Sequence, residues 1–286
     1  MNELAQSATL STKRRKRKHE DMEENELTGK KLLMQYHDQQ GLCFYTGIPI
    51  INRRKTKDWQ TSKERIEPKT GYTLSNTVLV AEEMNNQRQW TCEKVKSVSV
   101  FVNCEIDNTK LKKEIFNARH PVRLDSVSTG SWEKSNGMVH CGFCKLDFPK
   151  EAFTSQITNG CKSCQKIICL EQRRRMGGFI RGLINRANAN TKARNLKGRN
   201  LDFNIKLEDI LDLIERQNGR CAYSGIPLVF KSGLDWQCSI ERIEDDKGYI
   251  IGNIKLVCLE FNTPKKWSKE KFIIILGCIK KKYELH

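Results

Sequence analysis

CAYSGIPLVFKSGLDWQCSIERIEDDKGYIIGNIKLVCLEFN, residues 221–262, repeats the skeleton of CFYTGIPIINRRKTKDWQTSKERIEPKTGYTLSNTVLVAEEMN, residues 43–85. Cys43, Tyr45, Gly47, Ile48 and Pro49 match Cys221, Tyr223, Gly225, Ile226 and Pro227. Past a single-residue length difference, Trp59, Ser62, Glu64, Arg65, Ile66, Gly71, Tyr72, Asn76, Leu79, Val80, Glu83, Asn85 and Trp90 match Trp236, Ser239, Glu241, Arg242, Ile243, Gly248, Tyr249, Asn253, Leu256, Val257, Glu260, Asn262 and Trp267. So many identities in one order make these two copies of one module, and a repeat decides the architecture.

Each copy carries the same element signals. Leu207, Ile210, Leu211, Leu213 and Ile214 recur at helical spacing and stop before Gly219. Cys238 to Ile243 has strand length, Asp246-Lys247-Gly248 marks a turn, and Asn253 to Val257 is a second strand with branched residues. Glu260 to Asn262 opens a short helix limited by Pro264. Ser268 then caps a terminal helix over Lys269 to Ile279, with Thr91 in the same place in the first copy. The module is strand, loop, strand, helix with flanking helices, so the expected fold class is α+β.

Between the copies, Cys141 and Cys144 form one C-x-x-C pair and, beyond residues 145–160, Cys161 and Cys164 form another. Two such pairs present four thiolates to one tetrahedral Zn²⁺, and a closed four-thiolate shell is structural. Buried or redox-active cysteines are the alternative. Arg173, Arg174, Arg175, Arg181, Arg186, Lys192, Arg194, Lys197 and Arg199 follow, opposed by Glu171 alone. With Phe179, Ile180, Leu183 and Ile184 as an apolar strip, the segment reads as a helix with one buried side and a basic remainder suited to a phosphate backbone.

The expected organisation is a disordered basic and acidic tail (1–28), a first module (29–104), a linker (105–138), a zinc ribbon (139–169), a basic helical segment (170–200) and a second module (201–286). Lys13 to Lys18, KRRKRK, stands in the tail as an import signal, a phosphate-binding arm or a solvated stretch. Over 286 residues, 51 Lys and Arg face 34 Asp and Glu, and the formal charge of +17 points to nucleic acid as partner. No run of 18 apolar residues exists and no secretory signal opens the chain, so no membrane partner is expected and an intracellular location is. Twelve cysteines there suit metal ligation and small buried positions rather than disulfides.

The module resembles the HNH, or His-Me finger, endonuclease domain, and its combination with a two-pair zinc ribbon resembles phage and viral endonucleases of that superfamily. The resemblance covers both repeats and the ribbon. It implies two ββα-metal modules, a nucleic-acid substrate with DNA ahead of RNA, and a catalytic Mg²⁺ or Mn²⁺. Carried over by position, Glu241 and Arg242 stand where the family has its acid and its base histidine, Asn253 takes the middle asparagine and Asn262 the final metal ligand. Glu64, Arg65, Asn76 and Asn85 hold these places in the first copy. The family's own zinc positions read Cys221, Ser224, Cys258 and Phe261, and Cys43, Thr46, Ala81 and Met84, so neither copy can complete that site.

Glu241 and Asn262 are acceptable ligands for a hard cation, but Arg242 stays protonated and cannot serve as base. His19, His37, His120, His140 and His286 all fall outside the two hairpins. Three readings therefore stand: a nuclease in which Glu241 or Glu244 activates water while Arg242 neutralises phosphate charge, a hairpin that grips nucleic acid without cutting, and a purely structural Glu–Arg unit. The second module, next to the ribbon and the basic helix, is the expected working copy.

Overall fold

The computed structural model describes residues 1–16, 27–52, 58–85, 90–121, 131–154 and 160–285, the side chains of 11–16 excepted. In chain order the elements are α1 (Asn2–Lys16), α2 (Gly29–Asp38), β1 (Thr61–Arg65), β2 (Thr77–Ala81), α3 (Cys92–Asn103), α4 (Asn108–Arg119), β3 (Trp132–Glu133), β4 (Met138–His140), β5 (Asp147–Pro149), α5 (Lys162–Arg174), α6 (Met176–Asn195), α7 (Leu207–Arg216), β6 (Cys238–Arg242), β7 (Ile254–Cys258) and α8 (Lys269–Tyr283). Helices and three small sheets, β1-β2, β3-β4-β5 and β6-β7, make the chain mixed α+β. Single 3-10 turns follow β2 and β7, at Glu82–Met84 and Leu259–Phe261. Among the described residues, no helix is long and apolar enough to cross a membrane.

The chain condenses into two compact units that do not follow the repeat. One holds Met1–Glu105, Arg220–Leu228 and Val257–His286; the other holds Ile106–Gly219 and Val229–Leu256. The division runs through the second module, within β7. The segment expected to be a disordered tail departs from that expectation as well, because residues 2–16 form α1. Ala5 and Ala8, one helical turn apart, are buried, and Ser7 receives a 2.8 Å hydrogen bond from Lys63 of β1. Of the basic run, Arg17 and Lys18 lie outside the described residues, as do His19 and His286. The expected linker contains α4 and the first ribbon strand β3, and the single basic helix is two, α5 and α6. They part at Arg175, where Gly178 is needed: a Cβ there would stand 2.0 Å from the Gln172 carbonyl oxygen.

The first hairpin is antiparallel, with Glu64 opposite Val78 and Arg65 opposite Thr77. Thr61, Lys63 and Arg65 point to the buried face of β1 while Ser62 and Glu64 share the half-buried one. Both copies open on the same turn. Cys43 N donates to Ile48 O and Gly47 N to Cys43 O at 2.8 and 2.9 Å; the matching bonds of Cys221 and Gly225 are 2.9 and 3.0 Å. Gly47 and Gly225 sit at φ +72° and +71°, which a side chain would resist. A glutamine locks each second strand from outside. The Gln39 amide both donates to Leu79 O and accepts from Leu79 N at 2.9 Å, and Gln217 does the same to Leu256 at 2.9 and 3.0 Å.

Within the first unit, helices α3 and α8, capped by Thr91 and Ser268, pack against each other and exchange buried charges. Lys94 Nζ meets Glu260 Oε1 at 2.7 Å, and Lys271 Nζ meets Glu83 Oε1 at 3.5 Å. Lys94 and Lys271 are equivalent in the repeat, as are Glu83 and Glu260, so one contact is made twice with the roles of the copies reversed. Both glutamates are fully buried. Trp59, Trp90, Phe261, Trp267 and Phe272 form a linked set of edge and tilted ring contacts at 4.8–6.3 Å, with Lys94 over Trp90 and Lys271 over Trp59.

Lys94→Met removes the cation that faces the buried Glu260 and is expected to cost about 3–5 kcal/mol, whereas Lys94→Met with Glu260→Gln recovers most of it; urea unfolding of the three proteins checks this. Lys63 gives a second expectation. Burial holds its amine down to about 8, and Ile240 fills the same position in the second copy. A lysine with a lowered folded pKa binds fewer protons folded than unfolded, so wild-type stability should rise as pH climbs from about 8 towards the ordinary lysine range. Lys63→Ile should be the more stable protein at pH 7 and lack that rise in thermal melts across the interval.

Candidate functional site

The ribbon gathers its cysteines around a small core of Val139, Cys141, Phe153 and Cys161, with Phe143 and Phe148 packed on it. Cys141 begins a tight turn in which Lys145 N donates to Cys141 O at 2.9 Å and Cys141 N to Leu146 O at 2.8 Å. Gly160 brings the second pair in: at φ +82° a Cβ there would lie 2.6 Å from the Phe143 ring. The four Sγ atoms lie within 4.8 Å of one another, and Cys141 and Cys164 are 3.9 Å apart. Tetrahedral Zn–S bonds of about 2.3 Å require S···S separations just under 4 Å, so the cluster fits that ion.

Thiol electrostatics agree. Burial raises the Cys141 thiol, but the N–H groups of Cys161, Cys144 and Phe143 outweigh it and draw it down to about 6. Burial and then the neighbouring thiols push Cys164 up, and burial raises Cys144. One thiolate forms readily and suppresses the others; a central cation is what would ionise all four. Among the described residues this is the one group of three or more such ligands. The positions that the resemblance compares with the family's own zinc site are closed: Cys221, Ser224, Cys258 and Phe261, like Cys43, Thr46, Ala81 and Met84, are all buried. Cys258 N donates to Cys221 Sγ at 3.3 Å.

The hairpins place their acid, arginine and asparagine as follows. Arg65 donates through Nη1 to the carbonyls of Pro68 and Thr70, the latter at 3.0 Å; Arg242 donates to those of Asp245 and Lys247 at 2.6 and 3.0 Å. Each guanidinium is buried and lies over the tyrosine of its own loop, Tyr72 or Tyr249, at 5.3 and 5.5 Å. The asparagines complete the loops. Asn76 accepts from Glu67 N at 2.7 Å and donates to Glu67 O and Gly71 O at 3.0 and 2.9 Å. Asn253 repeats this with Glu244 N, Glu244 O and Gly248 O at 2.9, 3.1 and 2.9 Å. Arginine and asparagine therefore staple the strand-to-strand loop. A guanidinium tied to its loop is a poor candidate for neutralising phosphate charge, the role expected of Arg242.

The two acids differ in access. Glu241 is 4% exposed on a strand buried along its whole length, against which α6 packs. Glu64 is half-buried beside Ser62. Asn85 Nδ2 donates to Ser62 Oγ and to Lys63 O, both at 2.8 Å, which brings its amide to the Glu64 face of β1 and leaves Oδ1 as its acceptor. Asn262, its counterpart, follows the Leu259–Phe261 turn and is half-buried. The expected preference for the second copy thus meets a buried carboxylate.

Of the basic residues, Arg173 and Arg174 end α5, Arg175 stands at the break, and Arg181, Arg186 and Lys192 are exposed along α6, with Arg194 half-buried. Phe179, Ile180 and Leu183 form the buried strip beneath them. The strand-locking Gln39 and Gln217 and the charge pair Lys94 and Lys271 were missed as site-shaping residues, although the shared Gln-x-Gly-x-Cys spacing and helix-cap register mark them in the sequence. Comparison of the chain with protein-family models, curated proteins and solved structures finds no match.

The purified chain should carry one equivalent of zinc. Cys161→Ser should lose it, and a strong chelator should unfold the ribbon and leave the first hairpin folded, read by metal analysis and by amide-exchange protection of β4 against β2.

Proposed function

We propose that this protein is a divalent-metal-dependent endonuclease or nickase of HNH type acting on nucleic acid, DNA ahead of RNA, with the first module as the working copy and zinc in the four-cysteine ribbon as a structural ion. The observation that carries this reading is the Asn85 amide held by Ser62 and the Lys63 carbonyl, which sets it on the half-buried face of β1 that Glu64 shares, against the buried Glu241 of the second copy. A carboxylate and an amide oxygen form a donor set that suits Mg²⁺ or Mn²⁺ if water and phosphate oxygens complete it. Such an ion would lower the pKa of bound water and stabilise the leaving oxygen.

The chain's own groups divide the remaining work. Glu64 and Asn85 would hold the ion, and Arg65 and Asn76 keep the loop fixed so that the hairpin does not rearrange around its substrate. Glu67, at the exposed start of that loop, is the nearest carboxylate in sequence able to take a proton from water in place of a histidine. The net charge and the basic faces of α5 and α6 would attract the phosphate backbone and raise the encounter rate.

A second reading, a nucleic-acid grip that no longer cuts, is favoured by the arginine in the base position, whose guanidinium is engaged with loop carbonyls in both copies. One experiment separates the two. Nicking of supercoiled plasmid is expected with Mg²⁺ or Mn²⁺, lost with Glu64→Ala or excess chelator and retained with Glu241→Ala. Binding without cutting in either metal would overturn the nuclease reading in favour of the grip, and loss with Glu241→Ala alone would return the site to the second module.

A further inference from the structure

Trp132 of β3, His140 of β4 and Asp147 of β5 stand opposite one another across three antiparallel strands. They share one face of the ribbon sheet, while Val139 and Phe148 in the neighbouring row turn to the cysteine core. The Trp132 and His140 rings stack with centroids 4.3 Å apart and planes inclined by 31°. His140 cannot easily turn away: its Nδ1 lies 2.8 Å from Asp147 Oδ1, and Lys134 reaches the other oxygen of that carboxylate. The indole is thus propped from one side by an imidazole that is itself fixed, yet remains 51% exposed. A tryptophan kept for core stability would be turned inward, as Trp90 and Trp267 are.

The ribbon and the helix that leaves it also carry cations: Lys145, at the tip of the cysteine turn, is exposed, Lys150, just past β5, is exposed and paired with Glu133, and α5 runs from the second cysteine pair to Arg173 and Arg174 in the same compact unit. A rigid exposed π-face amid positive charge is the arrangement that holds unpaired nucleotides: bases stack on the ring without regard to sequence while phosphates follow the cations. In a duplex the base faces are covered by their neighbours, so this surface favours single strands, flaps or extruded bases.

We propose that Trp132, braced by His140 and Asp147, is a stacking platform for an unpaired nucleobase, which makes single-stranded or locally opened nucleic acid the substrate class of this protein. The proposal rests on the nucleic-acid reading above and not on catalysis in either hairpin. Its test is fluorescence anisotropy of the full-length protein with a labelled single strand and with the corresponding duplex, at two salt concentrations. Trp132→Ala should weaken single-strand binding about tenfold, the loss of one stacked base, and leave duplex affinity and salt slope unchanged. Trp132→Tyr should retain most of the affinity, and both variants should keep their zinc and far-UV spectrum. By contrast, Arg173→Ala with Arg174→Ala and Arg175→Ala should weaken both forms and flatten the slope.

Unchanged single-strand affinity in Trp132→Ala, or an equal loss on both forms, would overturn the platform while wild-type binding and plasmid nicking keep the nuclease reading standing. A wild-type protein that binds neither form would overturn both.

Discussion

Two lysine–glutamate contacts, the buried Lys94 with Glu260 and the partly exposed Lys271 with the buried Glu83, are the constraint on which the first compact unit depends. Desolvating a carboxylate and an ammonium costs several kcal/mol each, and the attraction offsets this only when the partners meet in good geometry. The contact is therefore a registry device more than a source of stability: Lys94 ties α3 to the turn after β7, and Lys271, which also meets Asp58, ties α8 to the turn after β2. Trp59 N donating to Glu83 Oε1 at 3.1 Å and the aromatic ring around Phe261 fix the same register by hydrogen bonding and shape. A contact that recurs with the partners' roles reversed is the hallmark of a two-fold interface between like subunits. Here it joins the first repeat to the carboxy-terminal part of the second within one chain.

That arrangement explains why the compact units cut across the repeat. The second copy's opening turn and α8 belong with the first module, while α7 and β6 pack with α6 in the other unit. Arg119 of α4 adds a clasp there, reaching Glu208, Asp212 and Glu215 along α7 at 3.2, 2.6 and 3.0 Å. One consequence is chemical asymmetry between copies of nearly the same sequence. Glu241 is buried on β6, against which α6 packs, and the corresponding face of β1 is half-buried.

The shared Ser-x-Glu-Arg-Ile unit also gains a physical cause. In both copies the arginine, donating to two carbonyls of its own loop, does a task that neither a lysine nor a histidine can copy, because the planar guanidinium carries several donors in a fixed fork. Its retention follows from loop geometry and by itself says nothing for or against hydrolysis. The acids beside it differ in burial, so the accessibility of Glu64 and Glu241, rather than the presence of arginine, distinguishes the functional readings.

What the sequence by itself determined is what rests on neighbours along the chain. The glycine turns at Gly47 and Gly225, the loop-holding Asn76 and Asn253, the caps Thr91 and Ser268, and the two C-x-x-C pairs are each fixed by partners a few residues away or by strict spacing. The helix over residues 2–16 escaped because that segment is polar and runs into the basic stretch from Lys13, while Ala5 and Ala8, its small apolar positions, are buried only in the folded chain. Only the tertiary structure decided which carboxylate is open, where the second module divides, and that Trp132 stands outside while Trp90 and Trp267 stand inside. These are outcomes of which surfaces meet across long stretches of chain. Two segments with the same local pattern carry the same local signal, and only what packs against each decides how deeply its acid is buried.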